Sequence, residues 1–207
     1  MKAFVLCPAY FAPILHWIPL ATGSSIVWEI HDHYQKQTYR NRLYIAAANG
    51  KLMLNIPIKH TKKGVHQKSY EVQIENDFPW QQQHWKSLES AYRSSPFFEY
   101  YEDDLKPLFT TPVHSLLEFN QQCNRWVCEV LQLKTEENTT ESYQKKVTSD
   151  VVDARDWVEA KKKKTVSLPP YIQVFSEKNG FLPNLSILDL IFNEGPNAVE
   201  YLKKCRP

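Results

Sequence analysis

Residues 3–30 read AFVLCPAYFAPILHWIPLATGSSIVWEI, and this stretch decides the fold. Ala3–Cys7 is a short apolar run stopped by Pro8, the pattern of a buried strand. Pro13 suits the first turn of a helix over Ile14–Ala21, where its missing N–H would be unpaired in any case, and Gly23 ends that helix. Ser25–Ile30 is a second apolar run with β-branched residues. Strand, helix and strand in such close succession make a βαβ unit, whose two strands are parallel.

Working outward, a polar dozen runs from His31 to Arg42. Leu43–Ala47 and Leu52–Ile58 then flank Asn49-Gly50, a strong hairpin signal that places both central residues at positive φ. Lys59–Lys68 reads as a basic loop and Tyr70–Ile74 as a further strand. Trp80, His84, Leu88 and Ala91 or Tyr92 recur at helical spacing, and short helices follow Pro96 as far as Phe109. Val113–Leu133 carries the clearest helical stripe, through Leu116, Asn120, Cys123 and Val127. Lys134–Lys146 is charged and aperiodic, an exposed linker or excursion, and Lys161–Lys164 is a second charged run. Tyr171–Phe175 reads as a late strand. Ile187–Phe192 and Asn197–Lys203 form a C-terminal helical pair. The expected fold is α/β: a Rossmann-like, mostly parallel sheet with an antiparallel hairpin and a helical C-terminal half, in one domain over residues 1–207.

Composition removes several classes of function. With 25 Lys and Arg against 23 Asp and Glu, the net charge is +2, far from the basic stripe that nucleic-acid binding calls for. Only 5 glycines accompany 13 prolines, and neither GxGxxG nor GxxxxGK[ST] can be drawn, so glycine-rich phosphate loops are absent. Cys7, Cys123, Cys128 and Cys205 form no CxxC pair, which argues against a zinc framework or a disulfide scaffold. The apolar start has a single lysine, three prolines, His16 and Trp17, and no A-x-A site, unlike a signal peptide. No later stretch approaches the ~18 apolar residues of a membrane span. The expectation is a cytoplasmic protein with a small-molecule substrate, no nucleic acid and no membrane span.

The polar dozen, HDHYQKQTYRNR over residues 31–42, follows the second parallel strand, and ligands of open α/β sheets collect outside the carboxyl ends of strands. If this segment is extended, His31 and His33 share one face, as do Lys36, Arg40 and Arg42. The three cations and Asn41 would hold a phosphate or carboxylate. His31 or His33 would act as a base near neutral pH, oriented by Asp32. The plain alternative is a solvated loop leading into the hairpin. His31-x-His33 also spaces two imidazoles for one metal ion, a weak signal that needs a third ligand from elsewhere. His84, with Trp80 on the same helix face, is either a half-buried core histidine or a pocket base. Ser186 and Asp189 precede an apolar run with capping spacing. Otherwise that helix N-terminus faces the pocket and favours an anion.

Several blocks together resemble the WbqC-like protein family, and the likeness is greatest to its Bacteroidetes-type members. They are Pro8-Ala9-Tyr10-Phe11-Ala12-Pro13, His33 to Arg42, Asn49-Gly50-Lys51-Leu52, Trp80 to Tyr92 with Pro96-Phe97-Phe98, and Asn184 to Gly195, in family order along nearly the whole chain. Many members carry His-Gln-Pro after the first strand where this chain has Cys7-Pro8. The resemblance implies a role in bacterial O-antigen or other surface-polysaccharide biosynthesis, or in related small-metabolite chemistry, and it carries over no catalytic residue and no cofactor. Joined to the polar dozen, it favours a transferase acting on an anionic or nucleotide-activated substrate such as a nucleotide sugar or thioester. In that reading Lys36, Arg40 and Arg42 hold the charge, Asn41 orients it, and His33 or His84 is the base. The alternatives are a non-catalytic binding or assembly protein of such a pathway, and a metal-dependent hydrolase using His31 and His33.

Overall fold

The structure, a computed structural model, describes residues 2–60, 66–134, 138–162 and 167–205. Strand β1 (Ala3–Leu6) is followed by a 3-10 turn over Ile14–Trp17, helix α1 (Ile18–Ala21) and strand β2 (Ser25–Trp28). β1 and β2 are parallel, in register from Ala3 opposite Ser25 to Leu6 opposite Trp28, so the expected βαβ unit is present. Its connection is all but dry, with Leu6, Tyr10, Phe11, Ile14, Trp17 and Ile18 at most 1% exposed.

The hairpin joins β3 (Arg42–Ala47) to β4 (Gly50–Asn55), antiparallel, with Ala47 opposite Gly50. Its turn lies one residue earlier than expected. Ala48 and Asn49 are the central pair, and among the three only Gly50 has positive φ, at 98°. A glycine just after the turn absorbs the left-handed twist there.

Tyr70–Ile74 is not a strand: Ser69–Glu71 is a 3-10 turn, and Gln73 and Ile74 make only isolated bridges to Ser115 and Ile58. Helices α2 (Trp80–Tyr92), α3 (Phe98–Leu105) and α4 (Pro107–Thr110) fall where the apolar spacing put them. Helix α5 (Leu116–Val130) is shorter than the stripe suggested, because Ser115 caps it by accepting from the Glu118 N–H at 3.3 Å. Its buried face is Leu116, Phe119, Asn120, Cys123, Trp126 and Val127.

A strand that the sequence reading missed, β5 (Val151–Asp153), pairs in parallel with the other edge of β1, giving the order β2-β1-β5. The excursion before it is exposed over residues 141–146, but Thr139 bridges to Trp28 along β2. Residues 61–65, 135–137 and 163–166, where Lys62-Lys63 and part of the second lysine run fall, lie outside the described residues. Tyr171–Phe175 is not a strand either. Pro169-Pro170 withholds two backbone donors before it, and Gln173 spends its side chain on the backbone of Leu182, donating at 3.0 Å and accepting at 2.8 Å. Helices α6 (Ser176–Asn179), α7 (Ile187–Glu194) and α8 (Ala198–Lys204) complete the helical C-terminal half.

Candidate functional site

Because β2 and β5 flank β1 on opposite sides, the chain leaves β1 in one direction and returns on the other. A crevice at the carboxyl ends of such strands is where open α/β sheets bind ligands. There the strands deliver Cys7, Glu29, Asp153 and Arg155. Glu29 N–H donates to Leu6 O at 2.7 Å and Ala154 N–H to Val5 O at 3.0 Å, which fixes these exits against β1. A cavity of about 710 Å³ opens at this end, lined by Asp32, His33, Gln35, Arg40, Asp153, Arg155, Asp156, Trp157 and Glu159 among others.

Arg40 is its innermost cation, 4% exposed. Its Nη2 is paired with the Asp32 carboxylate and donates to Cys7 Sγ at 3.1 Å. Its Nη1 is buried with no partner among the described residues. The second Asp32 oxygen accepts from the Ser69 hydroxyl, while Asp32 O accepts from Ser69 N–H at 2.9 Å. Burial pushes the Cys7 thiol up to about 12, against a partial pull from Arg40. Cys7 is therefore a protonated thiol at neutral pH and a weak nucleophile. Arg155 is fully engaged, by Asp153, by the Gln144 carbonyl at 2.7 Å and by Glu29 at 3.3 Å. Its bond holds the Asp153 carboxyl below the usual range.

The polar dozen is held in place through its own backbone by hydrogen bonds from four directions. Tyr10 N–H donates to Tyr39 O at 2.9 Å, Tyr39 N–H to Val158 O at 2.8 Å, Ile56 N–H to Asn41 O at 2.7 Å, and the Asn120 side chain of α5 to Arg40 O at 2.9 Å. The segment is not extended throughout. Residues 32–34 pair with 67–69 through Tyr34 N–H to Gln67 O at 2.9 Å and the His33–Lys68 bridge. The chain then turns at Gln37, φ 63°.

That turn divides the expected cation triad. Asp32, His33 and Arg40 face the crevice, whereas Lys36, Asn41 and Arg42 line a second cavity of about 410 Å³ with Tyr34, Asn55, Lys59, His60 and His66. The dozen is thus a wall between two pockets. They meet where the His33 ring stands edge-on to the His66 ring, centroids 6.2 Å apart. His31 instead packs edge-on against Tyr70 at 5.5 Å. Among the described residues no group of three His, Cys, Asp or Glu side chains could hold a metal ion.

The remaining expected residues lie in the core. His84 is hydrogen-bonded through Nδ1 to the Tyr10 hydroxyl at 2.9 Å, packs edge-on against Trp80, and is lowered to about 4 by burial. Ser186 caps α7, accepting from Leu188 N–H at 3.3 Å and donating to Phe11 O at 2.8 Å. Asp189 is fully buried and accepts from Tyr92, Tyr171 and Gln173. Burial raises its carboxyl, and those three donors pull it part of the way back.

The sequence reading passed over Cys7, Glu29, Ser69, Asp153 and Arg155 at the crevice, and Lys59, His60 and His66 in the second pocket. Asp153-x-Arg155 directly after Val151-Val152 was the available signal: read as a short strand, that pair of valines would have carried both charges to a sheet end.

Comparison with known proteins gives a consistent picture. The model of the WbqC-like protein family matches residues 9–165. The uncharacterised protein Rv1507c of Mycobacterium tuberculosis is 29% identical over 201 residues, covering 84% of this chain and 85% of its own. No solved structure matches.

Proposed function

The chain belongs to the WbqC-like protein family, and on that premise we propose that it is a group-transfer enzyme of surface-polysaccharide or related small-metabolite biosynthesis, acting on an anionic or nucleotide-activated substrate. The pathway comes from the family resemblance. The site comes from one observation: a buried guanidinium, that of Arg40, lines the crevice at the carboxyl ends of the parallel strands with Nη1 unpaired among the described residues. A buried donor without a partner costs about 1–3 kcal/mol, and an anionic group entering the crevice removes that cost.

In this reading Arg40 binds the anionic leaving group and Asp32 fixes the plane of the guanidinium. His33, exposed at the rim, takes the proton from the acceptor hydroxyl or amine as it attacks the activated carbon. The bond to the leaving group breaks with its electron pair, and the negative charge that appears there is met by Arg40.

The test is a thermal-shift screen of purified protein against nucleotide sugars and coenzyme A thioesters, followed by turnover with any hit. Saturation at ~100 times Kd adds about 2.7 kcal/mol, a clear shift. His33→Ala is expected to lose ~10²–10⁴-fold in turnover, the usual worth of a general base, with Tm unchanged. Arg40→Gln is expected to abolish the ligand shift. No shift with either class, and a His33→Ala strain with normal surface polysaccharide, would transfer the weight to a non-catalytic assembly role.

A further inference from the structure

We infer that the second pocket is a phosphate-ester site, built for a small molecule that carries a phosphate next to free hydroxyl groups. The inference goes beyond the group-transfer reading, which concerns the crevice on the other side of the wall.

Its first support is charge. Lys36, Arg42, Lys59, His60 and His66 line the pocket, and no Asp or Glu lines it among the described residues. None of these five side chains makes an ion pair there. The arginines Arg93 and Arg155, by contrast, are paired with Glu102 and Asp153. An unneutralised group of cations around one concavity raises the local potential and favours an anion.

Its second support is a set of buried polar atoms on the lining residues that have no partner among the described residues: Tyr34 Oη, Asn41 Oδ1 and Arg42 Nε. Asn41 is 6% exposed. Its Nδ2 is fixed by two acceptors, Asn55 Oδ1 and Ile56 O, both at 3.1 Å, so its remaining oxygen can only accept. Burial holds the Tyr34 phenol up at about 12, so it stays protonated and able to donate. Arg42 Nε is a donor. The unmet set is therefore two donors beside cations, plus one acceptor. A phosphate satisfies the donors and cations, and it would repel the Asn41 oxygen. A hydroxyl on the same ligand satisfies Asn41. Inorganic phosphate, or a carboxylate without hydroxyl groups, meets only part of the set. The volume, about 410 Å³, lies within the ~300–1,000 Å³ of small-molecule pockets, leaving room for a sugar ring as well as the phosphate.

The experiment is isothermal titration at low salt with glucose 1-phosphate, glucose and inorganic phosphate, on the wild-type chain and on Lys36→Glu/Lys59→Glu. Both lysines are exposed, so this variant is expected to keep the wild-type Tm. Glucose 1-phosphate is expected to bind more tightly than phosphate, glucose not at all, and the double variant to bind at least tenfold more weakly. Tyr34→Phe is expected to weaken binding several-fold. His33→Ala and Arg40→Gln, on the other side of the wall, are expected to retain it, so a failed group-transfer reading would leave this result standing. Equal binding by the double variant, equal binding of glucose and its phosphate, or no heat at millimolar ligand would overturn the inference. Displacement of the sugar phosphate by a short RNA oligonucleotide at far lower concentration would overturn it in favour of nucleic acid.

Discussion

The Arg40–Asp32 pair is expected to act as one energetic unit, and a double-mutant cycle measures this directly. The two side chains are 5% and 13% exposed. Removing one partner of a buried pair strands the other charge, at a typical cost of ~3–5 kcal/mol. In Arg40→Met, Asp32 keeps the Ser69 hydroxyl, so the lower end applies, about 3 kcal/mol. In Asp32→Ala, Arg40 is left with the sulfur of Cys7 at 3.1 Å as its remaining side-chain contact among the described residues, a weak acceptor for a charge, and a similar loss of about 3 kcal/mol follows. At ~2–4 °C per kcal/mol for a chain of this size, each single variant melts about 6–12 °C below wild type. The double variant buries neither charge, so it is expected to fall by about 3–4 kcal/mol instead of the sum of about 6, an interaction energy of roughly 2 kcal/mol. Urea unfolding followed by the fluorescence of the 6 tryptophans supplies all four corners of the cycle. Additivity within ~0.5 kcal/mol would show that the two groups do not hold each other, and the positioning role given to Asp32 would fall with it.

Stability is expected to fall on acidification, because burial lowers His16 and His84 from 6.5 to about 4. The folded value lies below the unfolded one, so this contribution is present above pH 6.5 and is lost as the pH falls towards 4. Each histidine accounts for on the order of 3 kcal/mol; a urea midpoint that stays constant from pH 7 to pH 4.5 would contradict it. Gly195→Ala is expected to lose about 2–4 kcal/mol, since the new Cβ would lie 2.6 Å from the Phe97 ring at φ 51°. Gly23→Ala, at φ 77° with nothing within 4 Å, pays only for backbone strain, and calorimetry on the two variants should rank them in that order. Asp189→Ala leaves three buried donors unmet and is expected to lose about 3–5 kcal/mol. Asp189→Asn should lose less, because a tyrosine hydroxyl can turn and accept from the new amide; equal losses in chemical denaturation would argue against this account.

Legibility of the fold tracked the length of each pattern. The βαβ unit could be read because two apolar runs, Pro13 and Gly23 all agree on it. β5 could not, because three residues with two valines carry no period, and only pairing with the free edge of β1 makes them a strand. Tyr171–Phe175 shows the reverse case: β-branched and aromatic residues suggest a strand, yet the Tyr171 hydroxyl is drawn to Asp189 and Gln173 closes a loop onto Leu182. Ser186-x-x-Asp189 looked like a capping pair, and half of it is one. Ser186 caps α7, whereas the backbone N–H that a partner at 189 would have taken goes to Tyr44 O at 2.8 Å. Asp189 is thereby free to anchor the core.

The candidate site was legible as a segment but not as a shape, and the reason lies in one residue. An extended chain would put Lys36, Arg40 and Arg42 on a common face. Gln37 at φ 63° breaks that register, and a non-glycine in the left-handed region is not something composition announces. The Thr38 hydroxyl donates to Gln35 O at 3.0 Å and Asn41 N–H to Thr38 O at 3.3 Å, tightening the turn from both sides. The consequence is functional: Arg40 goes to the crevice with the carboxylates, while Lys36 and Arg42 go to a pocket without any among the described residues. The three cations expected on one face thus fall into two cavities of different character, one at the strand ends with four carboxylates beside three cations, the other lined by cations and neutral residues among the described residues. Relaxing that turn would merge them, so Gln37→Gly, which adopts φ 63° without strain, should leave both intact, whereas Gln37→Val, which does not, should perturb ligand binding in the two pockets together. If Gln37→Val changed one pocket and spared the other, the wall would not be the common element that the geometry makes it.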